Sequence, residues 1–222
     1  PSGCGKATVL SIVAGLKSPT SGQVILQDKT VDKPGKDRGM VFQQSALFPW
    51  MSVLENVMFP LRKEMGKKEQ KEKALHYLKM VQLGKYTGHY PHELSGGMQQ
   101  RVSIARALAM NPDVLLMDEP FGALDEQTRT LLHKELEKIW LDTKKTILFV
   151  THSIREAVKL SDRIVVMGTR PGIVMADIKV DIPRPRHAHQ EKMVELENQV
   201  LGLLEKEIEK VAKEEFENAS SV

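Results

Sequence analysis

The sequence predicts an α/β fold built around parallel strands, and three observations carry that expectation. Val114-Leu115-Leu116-Met117-Asp118-Glu119 is a continuous apolar run ending in two carboxylates, as a strand buried on both faces requires. Thr146-Ile147-Leu148-Phe149-Val150-Thr151-His152 repeats the pattern, with a β-branched and apolar run that ends in Thr and His. Pro1-Ser2-Gly3-Cys4-Gly5-Lys6-Ala7-Thr8 places two glycines and a lysine before a compact apolar stretch over residues 9–16, a loop followed by a helix. In open α/β sheets ligands gather at the C-terminal edges of the strands, so the polar groups at these ends are candidate site residues.

The chain has 222 residues, 41% hydrophobic and 27% charged, enough for one large domain or a domain plus a lobe with its own core. Lys+Arg 32 against Asp+Glu 29 leaves a net charge of +3, which supplies no field that would by itself recruit nucleic acid. The single cysteine, Cys4, cannot close an intramolecular disulfide and has no Cys or His at metal-ligand spacing, so a disulfide scaffold and a zinc ribbon are excluded and a reducing compartment fits best. The apolar runs fall far short of the ~20 residues that span a bilayer.

Taken in order, the first residues contain no basic or apolar region of a signal peptide. They match the end of a phosphate-binding loop, G-x-x-x-x-G-K-[ST], whose first Gly would stand one residue before Pro1. The chain therefore reads as a fragment that lacks that Gly and the strand before it. Gly3 and Gly5 let the backbone curl so that successive N–H groups face phosphate oxygens, the following helix adds its positive end, and Lys6 reaches the β- and γ-phosphates. A Gly-rich turn before an ordinary helix would also produce this string. Ala7 stands where a Ser or Thr hydroxyl would ligate Mg²⁺, and the hydroxyl of Thr8 is rotated from that position by ~100°. Water could fill the place.

Val24-Ile25-Leu26 and Gly39-Met40-Val41-Phe42, the latter before Gln43, read as short strands. From Ser52 to about Met110 the sequence turns helical. Ser52 and Glu55 form a capping box, and Ala74, Leu75, Leu78 and Val81 recur at helical spacing in a Lys-rich stretch. Arg62, Lys63, Lys67, Lys68, Lys71 and Lys73 are interrupted by Glu64, Glu69 and Glu72, which fits a solvated helix face and no nucleic-acid patch. Leu94-Ser95-Gly96-Gly97-Met98-Gln99-Gln100-Arg101 is the most specific string: Ser95, Gly96 and Gly97 precede a helical segment over residues 98–110 and form a second phosphate site at a helix N-terminus. At the end of the 114–119 run, Asp118 suits Mg²⁺ through water and Glu119 could hold and polarise an attacking water. His152, before a helix over residues 154–160, can donate to a γ-phosphate. Met193, Leu196, Val200, Leu203, Leu204, Glu207, Ile208 and Val211 line one side of a helix over residues 191–217, read as a docking helix or a partner-binding one. Ala219-Ser220-Ser221-Val222 is expected to be a loose tail.

Ser-Gly-Cys-Gly-Lys at 2–6, Val41-Phe42-Gln43, the 94–101 string, Met117-Asp118-Glu119-Pro120, Ala123-Leu124-Asp125 and Val150-Thr151-His152 resemble, in order and spacing over nearly the whole chain, the motifs of ABC transporter ATPases. The resemblance implies a P-loop NTPase (RecA-like) core over about 1–46 and 112–186, a helical signature subdomain over about 47–111, and a C-terminal helix over about 190–217. It implies a head-to-tail dimer or pseudo-dimer holding ATP and Mg²⁺. In it Ser2, Gly3, Cys4, Gly5, Lys6, Ala7 and Thr8 form the phosphate loop, Gln43 senses the γ-phosphate and Mg²⁺, and Asp118 serves Mg²⁺. Glu119 is then the general base, His152 meets the γ-phosphate, Asp125 is an interface group, and Ser95, Gly96 and Gly97 reach across to the partner's ATP. The family's adenine-stacking aromatic residue falls upstream of Pro1.

Leu47-Phe48-Pro49-Trp50-Met51-Ser52-Val53-Leu54-Glu55-Asn56-Val57, Arg170-Pro171-Gly172 and Val180-Asp181-Ile182-Pro183-Arg184-Pro185-Arg186 are similar to bacterial nitrate/sulfonate/taurine-type importers. That implies a motor subunit peripheral on the cytoplasmic face of the membrane. Its partners would be a permease, met by the segment from Phe48 to Met51, and indirectly a periplasmic or lipoprotein substrate-binding protein. A soluble ATPase switch without transport, and an ATP-binding subunit with weak hydrolysis because of Ala7, are the alternatives.

Overall fold

The computed structural model describes residues 4–169, 171–184 and 186–219, with the backbone alone at 187, 206, 208 and 210–219. The chain divides into two compact units, Leu10–Val150 and a second made of Pro1–Val9 with Thr151–Val222.

In the first unit three strands, β3 (Arg38–Val41), β4 (Val114–Asp118) and β5 (Thr146–Val150), form a parallel sheet in the order β3-β4-β5. Met117 pairs with Val41 on one side and Phe149 on the other. The central place of β4 explains its unbroken apolar run: Leu115, Leu116 and Met117 are fully buried. A small antiparallel hairpin, β1 (Ile25–Leu26) and β2 (Lys29–Thr30), turns through Gln27 and Asp28, both left-handed with φ 48° and 61°. That pair of positive φ values is the geometry of a type I′ turn, which gives the two strands the right relative twist.

Helices α2 (Val53–Met58), α3 (Lys67–Met80) and α4 (Gly96–Ala109) pack against one another. The expected capping box starts α2: Ser52 Oγ accepts from the Glu55 N–H, and the Glu55 carboxylate accepts from the Ser52 N–H. The Ser52 N–H and hydroxyl, both donated to the Glu55 carboxylate, hold it below the usual carboxylate range. Helix α4 opens at Gly96 with Ser95 as its cap, so the two glycines form the first turn of the helix and do not precede it. Helix α5 (Glu126–Thr143) joins β4 to β5. Between α4 and α5 lies an ion pair, Arg101 Nε to Glu135 Oε2 at 3.0 Å, too poorly aligned to count as a hydrogen bond. Glu135 is 7% exposed, and among the described residues neither of its oxygens has a hydrogen-bond partner. Burial pushes its carboxyl upward, and the nearby guanidinium opposes that push.

Helix α1 (Lys6–Val13) begins in the other unit and brings Leu10 and Ala14 into a cluster with Val114 and Leu116. Gly15 closes it at φ 73°, and a Cβ there would lie 2.3 Å from the Lys33 carbonyl oxygen. Only glycine permits both the left-handed backbone and that approach. Gly15→Ala is expected to destabilise the chain by at least about 1–3 kcal/mol from the backbone strain alone. A thermal melt reads the change, and an unshifted midpoint would refute it.

The second unit contains α6 (Ile154–Leu160), an antiparallel pair β6 (Arg163–Met167) and β7 (Val174–Lys179), and the long α7 (Gln190–Ala219). Its core joins Val158, Ile164, Val166, Val180, Ile182, Leu196 and Val200, with Met193, Leu203 and Leu204 packed against them, so α7 is a docked helix. The Arg186 guanidinium, 3% exposed, donates to the carbonyls of Val158, Lys159 and Ile182 and so ties α6 to the chain after β7. Buried Glu207 accepts from the Thr169 N–H at 2.6 Å and from its hydroxyl at 3.1 Å. The side chains expected at Ile208 and Val211, and the tail 220–222, lie outside the described residues. Among the described residues no helix is long and apolar enough to cross a membrane.

Candidate functional site

The second unit carries the start of the chain and His152. Ser2 and Gly3 lie outside the described residues. Gly5 has φ 92° directly before helix α1, and among the described residues a Cβ on it would meet nothing within 4 Å. Such a turn at the positive end of a helix fits an anion of phosphate size. Cys4 is 2% exposed, and Lys6 Nζ donates to its Sγ at 3.3 Å. Its carbonyl oxygen would lie 2.6 Å from a Cβ on Gly172, so that glycine permits close packing against the loop. Ala7 and Thr8 are exposed in the first turn of α1.

His152 is exposed and sits between Thr151 and the capped start of α6. Thr151 Oγ1 donates to Glu156 Oε2 at 2.6 Å and accepts from the Ser153 N–H at 2.9 Å, while Ser153 Oγ caps α6 through the Glu156 N–H. These bonds fix the backbone on both sides of His152.

In the first unit Asp118 ends β4 opposite Val150. Glu119 follows with φ 43° and donates its N–H to the Val150 carbonyl at 2.9 Å. A left-handed backbone at a residue other than glycine is strain that its surroundings must hold, and such strain gathers at functional sites. Gly122 N–H donates back to the Glu119 carbonyl at 3.1 Å. A Cβ on Gly122 would lie 3.2 Å from Gln43 Nε2 and 3.8 Å from Glu119 Oε2. Gln43 and Glu119, distant in sequence, therefore face one small space that the glycine leaves.

Ser95 caps α4 by accepting from the Met98 N–H at 3.3 Å. Gly97 is buried because α5 comes close: a Cβ there would lie 2.4 Å from Thr128 Cγ2, and one on Gly96 3.6 Å from Leu124 Cδ2. Asp125 caps α5 through the Thr128 N–H at 3.0 Å, and its hydrogen bonds to Thr128 hold its carboxyl below the usual range. The structure thus brings Ser95, Gly96 and Gly97 together with the Leu124 to Thr128 turn, and Gln43 together with Glu119. The loop between Glu119 and Asp125 is held by Arg129, which donates to the carbonyls of Phe121 at 3.3 Å and Leu124 at 2.8 Å.

Sequence reasoning missed Gly122, Thr128, Arg129, Gly172 and Glu156. Arg129 in the turn after the Asp125 cap and Glu156 three residues after the Ser153 cap carried local signals, whereas Gly122, Thr128 and Gly172 act through approaches to Gln43, Gly97 and Cys4, remote in sequence.

The central parallel strand that ends in Asp118 and left-handed Glu119, and the Ser-capped helix that opens on two glycines, belong to the α/β class. The family model described as ABC transporter matches residues 1–122. An ABC transporter ATP-binding protein of Methanocaldococcus jannaschii is 52% identical over 214 residues, 96% of this chain and 80% of that protein. The taurine import ATP-binding protein of Rhizobium johnstonii is 48% identical over 184 residues, 82% of this chain and 70% of that protein. A solved ATP-binding cassette, a dimer in a post-hydrolysis state bound to ADP and Pi, superposes with TM-score 0.69 at 38% identity, covering 81% of this chain and 82% of that one. The chain belongs to the ABC transporter family and is an ATP-binding, ATPase-type subunit of it.

Proposed function

We propose that the chain is the ATP-hydrolysing motor of an importer for a small solute such as nitrate, a sulfonate or taurine. The observation that carries the reading is the convergence of Gln43 and the strained Glu119 on the space beside Gly122, at the end of β4. Similarity to the taurine import subunit supports the solute class.

On this reading Lys6 neutralises the β- and γ-phosphates, and the backbone of residues 2–8 cradles them, with Ser2, Gly3, Cys4, Gly5, Ala7 and Thr8 in the loop. Glu119 accepts the proton of the attacking water, and His152 donates to the γ-phosphate. Asp118 and Gln43 would hold Mg²⁺. Two oxygen donors suit an ion that keeps waters and phosphate oxygens. When bound, Mg²⁺ would neutralise charge on the phosphates. Ser95, Gly96, Gly97 and Asp125 serve the nucleotide of a second subunit in a homodimer or pseudo-dimer, a reading the dimeric cassette supports.

The subunit would lie on the cytoplasmic face of the membrane against a permease, which receives solute from a periplasmic or lipoprotein binding protein. The segment from Phe48 to Met51 suits the permease contact. Trp50 is 69% exposed, and the Phe48 ring lies 5.6 Å from it and 4.6 Å from that of Phe59, an aromatic surface of the kind enriched at interfaces. Pull-down from membranes should recover a multi-span protein, and Trp50→Ala should weaken that recovery while leaving basal hydrolysis intact. Recovery of ribosomes or DNA instead would sink the transport reading.

Ala7→Ser returns a hydroxyl oxygen to the metal position. An interaction with a charged group is worth ~1.5–3 kcal/mol, or about tenfold to hundredfold in rate, and the lower end is expected because water replaces part of the ligation. Equal rates and equal Mg²⁺ requirements for parent and variant would give Ala7 no mechanistic consequence.

A further inference from the structure

The loop between Gln43 and Trp50 is bound to α4 chiefly by one long side chain, Arg106. Arg106 Nη1 donates to the Ala46 carbonyl at 2.9 Å, Arg106 Nη2 donates to the Ser45 carbonyl at 3.2 Å, and the guanidinium lies 5.8 Å from the centre of the Phe48 ring. Two further bonds join the same elements: Gln100 Nε2 donates to the Phe42 carbonyl at 3.0 Å, and Ser45 Oγ donates to Gln99 Oε1 at 3.1 Å. Ala46 has φ 45°, a left-handed backbone that alanine resists, and Arg106 grips the carbonyl of that residue. Burial pushes the guanidinium pKa down, and the two carbonyls it meets hold its fork in place. At the other end Asn56, fully buried, accepts from the Phe48 N–H and donates to the Phe48, Met51 and Ser52 carbonyls.

We propose that Arg106 is a positioning residue that latches the strained Gln43 to Trp50 loop onto the helix headed by Ser95, Gly96 and Gly97, so that the aromatic surface and that helix end move as one body. The inference rests on the ATP-site reading of Gln43 and the glycine helix. Arginine is suited to the task because its planar fork spans two consecutive carbonyls while its face meets an aromatic ring. Lysine offers a point charge that reaches one carbonyl at a time. Without the fork, Ala46 can relax out of its left-handed conformation and the loop can shift without α4.

The chain has two tryptophans, and in a Trp140→Phe background Trp50 alone reports on the loop. In the full chain, further carrying Glu119→Gln so that ATP is retained, ATP is expected to shift Trp50 emission. Arg106→Gln should lose that shift while a fluorescent ATP analogue still binds, and Arg106→Lys should keep part of it. A full Trp50 response in Arg106→Gln, or in Arg106→Lys if the first variant does not fold, would overturn the latch. So would a parent that binds the analogue with no Trp50 response. A parent that binds no nucleotide would overturn the ATP-site reading, and the latch with it.

Discussion

Glu119→Gln is expected to lower ATP turnover by about 10²–10⁴-fold, the usual contribution of a positioned general base, while leaving nucleotide binding intact. The amide is nearly isosteric with the carboxylate, so the space beside Gly122 stays filled and Gln43 keeps its neighbour. The bond from the Glu119 N–H to the Val150 carbonyl is made by the backbone and is untouched. What disappears is the Glu119 carboxylate, an acceptor able to take a full proton. ATP binding and the melting temperature should match the parent, which separates a lost base from a disturbed loop. A Glu119→Gln variant with the parental rate would remove Glu119 from the chemistry and leave His152 or water to take the proton.

Gly97→Ala is expected to cost about 10²-fold in ATPase rate, the order of penalty that a misplacement near 1 Å carries at an active site. The added Cβ would stand 2.4 Å from Thr128 Cγ2, far inside contact distance. Thr128 cannot simply turn away, because its N–H and its side chain both bond to Asp125. The first turn of α4 must therefore separate from that of α5, carrying Ser95 and Gly96 with it. Thr128→Ser removes the offending methyl group and keeps the hydroxyl and the N–H. The double variant Gly97→Ala with Thr128→Ser should recover most of the lost rate, and an unrecovered double variant would show that crowding at Thr128 is not the cause.

The parts of the site written in contiguous sequence were legible. Strand β4 announced itself because burial on both faces demands an apolar residue at every position, and the start of α4 because a serine cap before two glycines has few other uses. The β6 and β7 pair went unread although Ile164 and Val166 alternate with exposed Val165, because an alternation of so few residues is weak on its own. Helix α5 went unread as well, though Leu132, Leu136 and Ile139 recur at helical spacing behind the Asp125 cap. The approach of Gln43 to Gly122 and the grip of Arg106 on Ser45 and Ala46 depend on tertiary packing, which no local spacing encodes.

The ion pair of Arg101 and Glu135 has a consequence for how this sequence can drift through evolution. Changing either partner alone strands an ion between α4 and α5, at a cost of ~3–5 kcal/mol. Replacing both with apolar residues of similar volume costs little or nothing, because among the described residues neither Glu135 oxygen has a hydrogen-bond partner to leave behind. Descendants should therefore hold both charges or neither, and the two positions behave as one heritable unit although α4 and α5 stand apart in the chain.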